Sequence, residues 1–412
     1  MTYQAEHVAS FFGEGNSGLT YFNDALTSQR VHHEPVAPPQ QCRGEQLHVA
    51  VIGLGYVGLP TALGLVAGGA TVLGVDISAA RLAAIGLGDV DSASVDPCEL
   101  SQALGSSSLE LHESTGVVAA ADAVIICVPT PVDSSSVPDV TALARVCAEV
   151  VEHARPGQLI ILTSTTYVGC TRALLTVPLE ARGLRVGSDI NVAFCPERLN
   201  PGSTTFTQDE VTRVIGGVTA SCSVAAEGLL SRISPAVHIV SSPEVAELSK
   251  LIENTFRAVN IALVNEFAEA SRVLGVDAVE ALDAAASKPY GFMAFHPGPG
   301  VGGHCIPCDP HYLLWRLRAE QVASPLIEQA MSTLAARPER VADRAGELLA
   351  SRGVSLDGAR VSLVGLSYKP GVQDVRESPS LFLAEILRRR GAIVTAHDPV
   401  VGADVPDAGG VP

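Results

Sequence analysis

The sequence predicts an α/β fold: a parallel sheet covered by helices on both faces, a long helix with a helical middle section, and a second, short strand–helix–strand unit. Three observations predict it. Apolar strand-like runs alternate with helix-like stretches from residue 48 to 242. A stretch of about 30 residues after Ser242 keeps most of its apolar side chains at spacings of three and four. A strand–helix–strand pattern then returns over 359–399.

Length and composition set the frame. The chain of 412 residues is long enough for two or three domains of about 150 residues each. Its 27 Lys and Arg against 44 Asp and Glu give a net charge of −17, which argues against a nucleic-acid binder, since that function needs clustered cations. With 47% hydrophobic and 17% charged residues the chain can bury a large core. Nine cysteines, odd in number and mostly inside apolar segments, read as reduced thiols of a cytoplasmic protein. Residues 46–75 carry no charge, but they hold seven glycines and a proline, so strand, turn, helix and strand explain them better than a membrane span. The N-terminus lacks the basic region and apolar core of a signal peptide.

In chain order, residues 1–46 are polar and irregular and are expected to be an extension. Strands are predicted at 48–53, 70–76, 122–129, 158–165, 190–196 and 237–242, with helices such as 78–87, 139–154, 171–183 and 221–233 between them. Strands apolar on both faces and separated by helices imply a parallel sheet covered on both sides. Ser242 followed by Pro243 is an N-cap with proline at the first helical position, and the helix it opens runs to about Gly275. A helix of about 30 residues would span about 45 Å, which suits a domain link or a dimer interface. A Gly/Pro-rich loop follows over 289–310, then more helix, then strand 359–368, helix 377–391 and strand 392–399. The expected division is 1–46, 47–242, 243–337 and 338–412.

Gly53-Leu-Gly55-Tyr56-Val57-Gly58 follows a predicted strand and opens a predicted helix. The first glycine permits a tight turn, the second lets backbone approach a pyrophosphate, and the third lets helix and strand pack closely. The N–H groups at the helix start face the phosphates with the favourable end of the helix dipole. Asp76 ends the next strand 23 residues after Gly53, where a carboxylate accepts from a ribose 2′-hydroxyl and repels a 2′-phosphate. The segment therefore reads as a Rossmann-type site for NAD rather than NADP.

Cys305 lies in the Gly- and Pro-rich run GPGVGGHCIPCDP, with Asp309 four residues on. The other cysteines look like small core hydrophobes. A tight structural loop is one reading of the run. Cys305-Ile-Pro-Cys308 also spells CxxC, a pattern of thiol exchange or of half a zinc site, but no second CxxC or spaced His pair completes such a site, and no metal is expected. Lys250 and Asn254 share one helix face at i and i+4, and Glu197 follows a strand end, where α/β sheets place their ligand crevice.

Together, VIGLGYVGLP (51–60), VPTPV (128–132), STTYVG (164–169), CPERLNPG (195–202), ENTFRAVNIALVNE (253–266), KPYGFMAFHPGPGVGGHCIPCDPHYL (288–313) and GLSYKPGVQDVRESPS (365–380) resemble the UDP-sugar 6-dehydrogenases. The His before Cys305 and the ENTFR string are similar to the branch that oxidises UDP-N-acetylhexosamines, UDP-N-acetylglucosamine or UDP-N-acetylmannosamine, of surface-polysaccharide or antibiotic sugar synthesis. The resemblance implies a homodimer with NAD as cofactor that takes the sugar C6 alcohol to the acid, Cys305 carrying a thiohemiacetal and then a thioester. It assigns Lys250 and Asn254 to the developing oxyanion, Asp309 and a water to proton acceptance, and Glu197 with Thr165 to thioester hydrolysis. It places Gly53, Gly55, Tyr56, Val57, Gly58, Asp76, Arg81 and Thr130 on the cofactor side, and Arg198, Arg257, Gly300, Gly302 and Lys369 on the substrate side. The alternatives are a UDP-glucose 6-dehydrogenase and a truncated, non-catalytic NAD-binding homologue that pairs with an intact subunit.

Three departures accompany the resemblance. Val168 stands where the family usually has proline. Cys308 stands near the nucleophile, where it could capture an oxidised Cys305. The family continues for several dozen residues beyond the HDP string at 397–399, so an incomplete second Rossmann-like domain is expected here. Two parallel strands would then have to dock on the rest of the chain, pair with another subunit or remain partly disordered.

Overall fold

The computed structural model describes residues 47–90, 95–133, 135–198, 211–234 and 236–401, so the extension expected over 1–46 lies outside the described residues. In chain order come β1 (His48–Ile52), α1 (Gly58–Ala67), β2 (Thr71–Val75), α2 (Ala79–Leu87), α3 (Pro97–Gly105), β3 (Leu109–His112), β4 (Ala123–Ile126) and α4 (Thr141–His153). Next are β5 (Leu159–Leu162), α5 (Val177–Ala181) behind a wider turn at Arg172–Thr176, β6 (Asn191–Phe194), β7 (Arg213–Gly217), α6 (Ala220–Leu230) and β8 (Val237–Val240). The long helix α7 (Pro243–Leu274) leads to α8 (Ala278–Ala286), α9 (Cys305–Ala319), α10 (Pro325–Ala335) and α11 (Arg337–Ala350). The chain then forms β9 (Arg360–Val364), α12 (Pro379–Arg389) and β10 (Ile393–His397).

Eight strands make one sheet in the order β3-β2-β1-β4-β5-β6-β7-β8. The pleat explains why the central strands are apolar throughout. Val49, Val51, Ile125 and Ile161 fall into the core on one face, while Ala50, Ile52, Ile126 and Leu162 fall into the core on the other. Gln158 is a fully buried polar exception, and it donates to the carbonyls of Val118 and Ala121 at 2.7 Å each while accepting from the Arg155 N–H.

The sheet departs from the expectation at one joint: β6 and β7 run antiparallel, while every other neighbour pair is parallel. Neither β7 nor β3 was signalled as a strand. β3 is a half-buried edge strand reading Leu-Glu-Leu-His, and β7 ends in two glycines. Those glycines have a packing reason. A Cβ on Gly216 would overlap the Ser242 carbonyl oxygen and stand 2.9 Å from Pro243 Cα, so β7 and the start of α7 cross in backbone contact.

α7 begins and ends as its sequence indicates. Ser242 Oγ accepts from the Val245 N–H, Pro243 occupies the first helical position, and Gly275 closes the helix in the left-handed region at φ 71°. Its 32 residues span about 48 Å. One face buries Ala246, Glu247, Leu251, Asn254, Ala258 and Ala262. The opposite face exposes Val245, Ile252, Phe256, Leu263, Phe267 and Leu274, an alternation of seven- and four-residue steps that forms a continuous apolar stripe. Among the described residues no helix is long and apolar enough to cross a membrane.

The second α/β unit docks on the rest of the chain. β9 and β10 pair in parallel, and Leu383, Ile386 and Leu387 of α12 join Ala342 of α11 over one sheet face. Val364 and Ile393 point away and are exposed. The 365–378 segment lies against the glycine-rich run before α9, and a Cβ on Gly302 would stand 2.7 Å from both Glu377 O and Tyr368 Cβ.

Because Gly216 has no room for a methyl group, Gly216→Ala should force β7 and α7 apart. We expect a loss of about 2 kcal/mol or more and a Tm several degrees lower, read by thermal unfolding followed with circular dichroism.

Candidate active site

The glycine-rich turn sits at the carboxyl edge of β1. Gly53 adopts φ +91°, and a Cβ there would stand 2.8 Å from the Cys127 carbonyl oxygen. A Cβ on Gly58 would overlap the Gly53 carbonyl, whereas a Cβ on Gly55 would meet nothing within 4 Å. Asp76, just past β2, accepts from the N–H groups of Leu54 and Ser78 at 2.9 Å each, and Arg81 Nε donates to Leu54 O at 3.1 Å. Asp76 and Arg81 thus lie at the mouth of the turn, with Tyr56 and Val57 between the second and third glycines. Open space over Gly55, N–H groups at the start of α1 and a carboxylate at the end of β2 fit a dinucleotide. Thr130 is buried nearby, and its carbonyl accepts from Tyr312 Oη at 3.1 Å, which ties the end of the β4 loop to α9.

Cys305 does not lie in a loop as expected. It is the first residue of α9, with the glycine-rich run delivering the chain to that helix start. The run is anchored on both sides: Gly298 N–H donates to Asn265 Oδ1 at 3.0 Å, and Arg337 Nε donates to Gly298 O at 2.9 Å. Cys305 is exposed, and one turn further on Asp309 is fully buried. Asn254 Nδ2 donates to Asp309 Oδ2 at 2.5 Å, while Asp309 Oδ1 has no hydrogen-bond partner among the described residues. Burial pushes the Asp309 carboxyl up to about 6, against the opposing pull of Lys250, Asn254 and Arg257. An acid poised there suits proton transfer near neutral pH. Crowding also raises the Cys305 thiol, and Lys250 is the foremost of the cations that oppose it. His304, just before it, is held below the ordinary histidine range by burial and then by Arg376 and Lys250.

α7 supplies the other wall. Lys250 Nζ donates to the Glu197 carbonyl at 2.6 Å, so the segment after β6 is fastened beside Asn254 and Asp309. Glu197 Oε1 accepts from the Arg198 N–H at 2.7 Å, and its Oε2 lies 3.7 Å from Arg213 Nη1. One turn before Lys250, Glu247 is buried and accepts from the Gly169 N–H (2.5 Å), the Thr171 N–H (2.9 Å) and Thr171 Oγ1 (2.7 Å). Desolvation still raises the Glu247 carboxyl despite these three donors. Glu247 thereby straps the loop carrying Thr165 to α7, and Tyr167 of the same loop packs against Trp315 of α9 with ring centroids 5.1 Å apart and the ring planes tilted by 56°. Thr165 itself is half-buried at the end of β5.

Cations converge on the cleft from the second α/β unit. Arg257, exposed on α7, acts on Cys305, Asp309 and Lys369, and the Lys369 amine is lowered first by burial and then by Arg257. Two cations brought together in this way suit a phosphate-bearing ligand. Arg376 lies over the Tyr56 ring, 4.4 Å from its centroid, joining the C-terminal unit to the glycine-rich turn. Arg198 is engaged instead with Thr212 O and Glu253, at 2.8 and 2.7 Å. Gly300 and Gly302 stand where the backbone is pressed against the C-terminal segment, a Cβ on Gly300 falling 2.6 Å from Pro379 Cβ. Glu247, Arg213 and Arg376 were not identified from the sequence. For Glu247, the signal was a carboxylate on the apolar face of α7, three residues before Lys250.

A separate cavity of about 600 Å³ lies on the other side of the first turn of α9, lined by Val132, His304, Cys308, His311, Leu334 and Phe382 among others. Cys305, Lys250, Asn254 and Asp309 are not part of its wall. Cys308 is buried toward it, as are most other cysteines in their own surroundings, but Cys98 is exposed on α3. Among the described residues no group of three or more His, Cys, Asp or Glu is arranged to hold a metal.

Residues 47–234 match the NAD binding domain of the UDP-glucose/GDP-mannose dehydrogenase family, 244–333 its central domain and 362–408 its UDP binding domain. The chain is 35% identical over 358 residues to the UDP-N-acetyl-D-mannosamine dehydrogenase of Pyrococcus horikoshii, covering 86% of this chain and 84% of that protein. It is 34% identical over 362 residues to the UDP-N-acetyl-D-glucosamine 6-dehydrogenase of Pseudomonas aeruginosa, covering 87% and 84%. The solved structure of the Pyrococcus horikoshii enzyme superposes with a TM-score of 0.80 at 34% identity over 86% of this chain and 84% of that one. A UDP-glucose dehydrogenase structure from Pyrobaculum islandicum superposes with a TM-score of 0.77 at 28% identity, covering 89% and 86%.

The raised Asp309 acid yields a prediction with a definite sign. Its folded value of about 6 exceeds the ordinary carboxylate value, so the ionised form costs stability above pH 6, and that cost is relieved as pH falls toward 4. Asp309→Asn should therefore unfold at higher denaturant than wild type at pH 8, by about 2–3 kcal/mol, with the difference shrinking toward pH 5, while turnover falls at least about 100-fold. Urea titrations at both pH values and steady-state assays check it.

Proposed function

The chain belongs to the UDP-glucose/GDP-mannose dehydrogenase family, and we propose that it oxidises the C6 alcohol of a UDP-N-acetylhexosamine to the acid, with NAD, through a thioester on Cys305. One observation carries this assignment: exposed Cys305 opens a helix one turn ahead of buried Asp309, and Asp309 is bonded to Asn254 on the same face of α7 as Lys250. The mannosamine and glucosamine relatives favour the N-acetylated sugars over glucose.

NAD, when bound, accepts the hydride at each of the two oxidations. The Gly53–Gly58 turn and Asp76 hold the dinucleotide. Lys250 and Asn254 face the sugar oxygen as it gains negative charge. Asp309, which titrates near neutrality, takes the alcohol proton, directly or through a water. The Cys305 thiolate adds to the aldehyde carbon, giving a thiohemiacetal and, after the second oxidation, a thioester. Lys250 opposes the crowding that keeps this thiol protonated, so the nucleophile forms within the cationic wall. Glu197 and Thr165 attend the water that cleaves the thioester. Arg257 and Lys369 hold the pyrophosphate, with Arg198, Gly300 and Gly302 shaping the substrate side.

The exposed apolar stripe of α7 supports a homodimer built along that helix. The eight described cysteines are all unpaired in disulfides, which suits a reducing cytoplasm.

Pure protein supplied with NAD should form two NADH per sugar from UDP-N-acetylglucosamine or UDP-N-acetylmannosamine, measured by absorbance at saturating NAD. Turnover of UDP-glucose alone would assign the chain to the glucose branch. Cys305→Ser should abolish acid formation, and full acid production by that variant would exclude the thioester route. Sedimentation should give a dimer, and Phe267→Glu should shift it toward monomer.

A further inference from the structure

Cys305 and Cys308 are the first and fourth residues of α9, and they meet different surroundings. Cys305 is exposed, whereas Cys308 is 6% exposed and lines the cavity of about 600 Å³ behind the first turn. Residues three apart are neighbours on a helix surface, so both sulfurs leave the same turn. Cys305 is also among the groups that act electrostatically on the Cys308 thiol. An exposed thiol at a helix start with a buried partner three residues on is the arrangement in which CxxC pairs exchange between dithiol and disulfide. The reaction assigned above uses Cys305 and gives Cys308 no part.

We propose that Cys305 and Cys308 form a reversible disulfide when hydrogen peroxide oxidises Cys305, a modification that switches the nucleophile off and shields it from irreversible oxidation. In the first step the Cys305 sulfur bonds to a peroxide oxygen and the oxygen–oxygen bond breaks. The sulfur gives up two electrons and becomes a sulfenic acid, and the thiol proton leaves with the other oxygen as water. In the second step the Cys308 sulfur bonds to the Cys305 sulfur and the sulfur–oxygen bond breaks. That oxygen leaves as a second water, carrying the Cys308 proton. Two thiols and one peroxide thus give one disulfide and two waters, and an external dithiol restores both thiols by exchange.

The surroundings divide the two roles. Crowding raises the Cys305 thiol, but Lys250, Arg257 and Arg376 oppose it, and solvent reaches this residue. Burial pushes the Cys308 thiol up to about 12, with Asp309 adding to the effect, so Cys308 stays protonated until a sulfenic acid forms beside it. A regular helix holds Cβ atoms three residues apart at about 5–6 Å, while a disulfide needs about 4 Å. The first turn of α9 must therefore tighten, and its sequence favours that. Pro310 has no N–H to give to the Ile306 carbonyl four residues back, and Pro307 has none either. His304 at the N-cap makes no side-chain capping bond. The cavity alongside gives Cys308 and Val132 room to shift. The Val132 backbone also acts on the Cys308 sulfur, so closing the bridge disturbs the loop that carries Thr130 on the cofactor side.

The test treats the native, full-length protein, reduced and then freed of reductant, with hydrogen peroxide and blocks the remaining thiols with N-ethylmaleimide. In wild type the tryptic peptide carrying both cysteines should lose about 2 Da and take up no maleimide. Turnover should fall at least about tenfold and return to most of its starting value with dithiothreitol. Cys308→Ser should turn over like wild type before treatment. After prolonged exposure to the same peroxide it should regain less than about a fifth of its activity with dithiothreitol, its Cys305 peptide heavier by about 32 Da as the sulfinic acid. Cys308→Ala serves if the serine variant is insoluble. In Cys305→Ser the peptide should stay unoxidised, and oxidation of Cys308 there would overturn the order of steps. A wild-type peptide that never loses 2 Da, or a Cys308→Ser enzyme that recovers as fully as wild type, would overturn the inference. The effect on turnover rests on the thioester reaction assigned above. A protein that oxidises no UDP-sugar would undo that assignment, while the peptide masses would still decide the bridge.

Discussion

Three polar side chains on one buried face of α7 hold the site together. Glu247, Lys250 and Asn254 follow one another at helical spacing, and each reaches a different element: the loop after β5, the segment after β6 and the first turn of α9. A rigid helix therefore sets the distances between parts of the chain far apart in sequence. Burying a carboxylate at Glu247 is unfavourable by itself, and the three donors from Gly169 and Thr171 are what make it tolerable. Removing any one of these contacts loosens a loop rather than a single side chain.

The electrostatics of the cleft run against those of the whole chain. A net charge of −17 keeps the surface acidic, while Lys250, Arg257, Lys369 and Arg376 concentrate positive potential around one thiol and one buried acid. Such local focusing is what a doubly charged nucleotide sugar would need to settle in an otherwise repulsive field. It also divides labour between Cys305 and Asp309, since the same cations favour the thiolate and oppose protonation of the carboxylate, while burial acts the other way on both.

Much of this was legible in the sequence because it depends on local chemistry. Burial of β1, β4 and β5 on both faces follows from uniformly apolar strands, and the limits of α7 follow from Ser242-Pro243 and Gly275. What escaped was set by non-local packing. β7 carries too few apolar residues to register, because its glycines answer to the crossing of α7. Cys305 reads as a loop residue because glycine and proline surround it, yet α9 starts at that position once Asn265 and Arg337 fix the preceding backbone. Arg213 has no sequence context to mark it, since its meaning comes from Glu197, sixteen positions away in sequence.

The three glycines of the nucleotide turn look equivalent as letters but answer to different demands. Gly53 and Gly58 are required by the protein's own backbone, while nothing around Gly55 excludes a larger side chain. Divergence can therefore proceed at different rates within a six-residue motif. A descendant that lost Gly55 could keep its fold while abandoning its cofactor, whereas one that lost Gly58 would lose both together. In this motif the middle glycine alone records selection for the ligand.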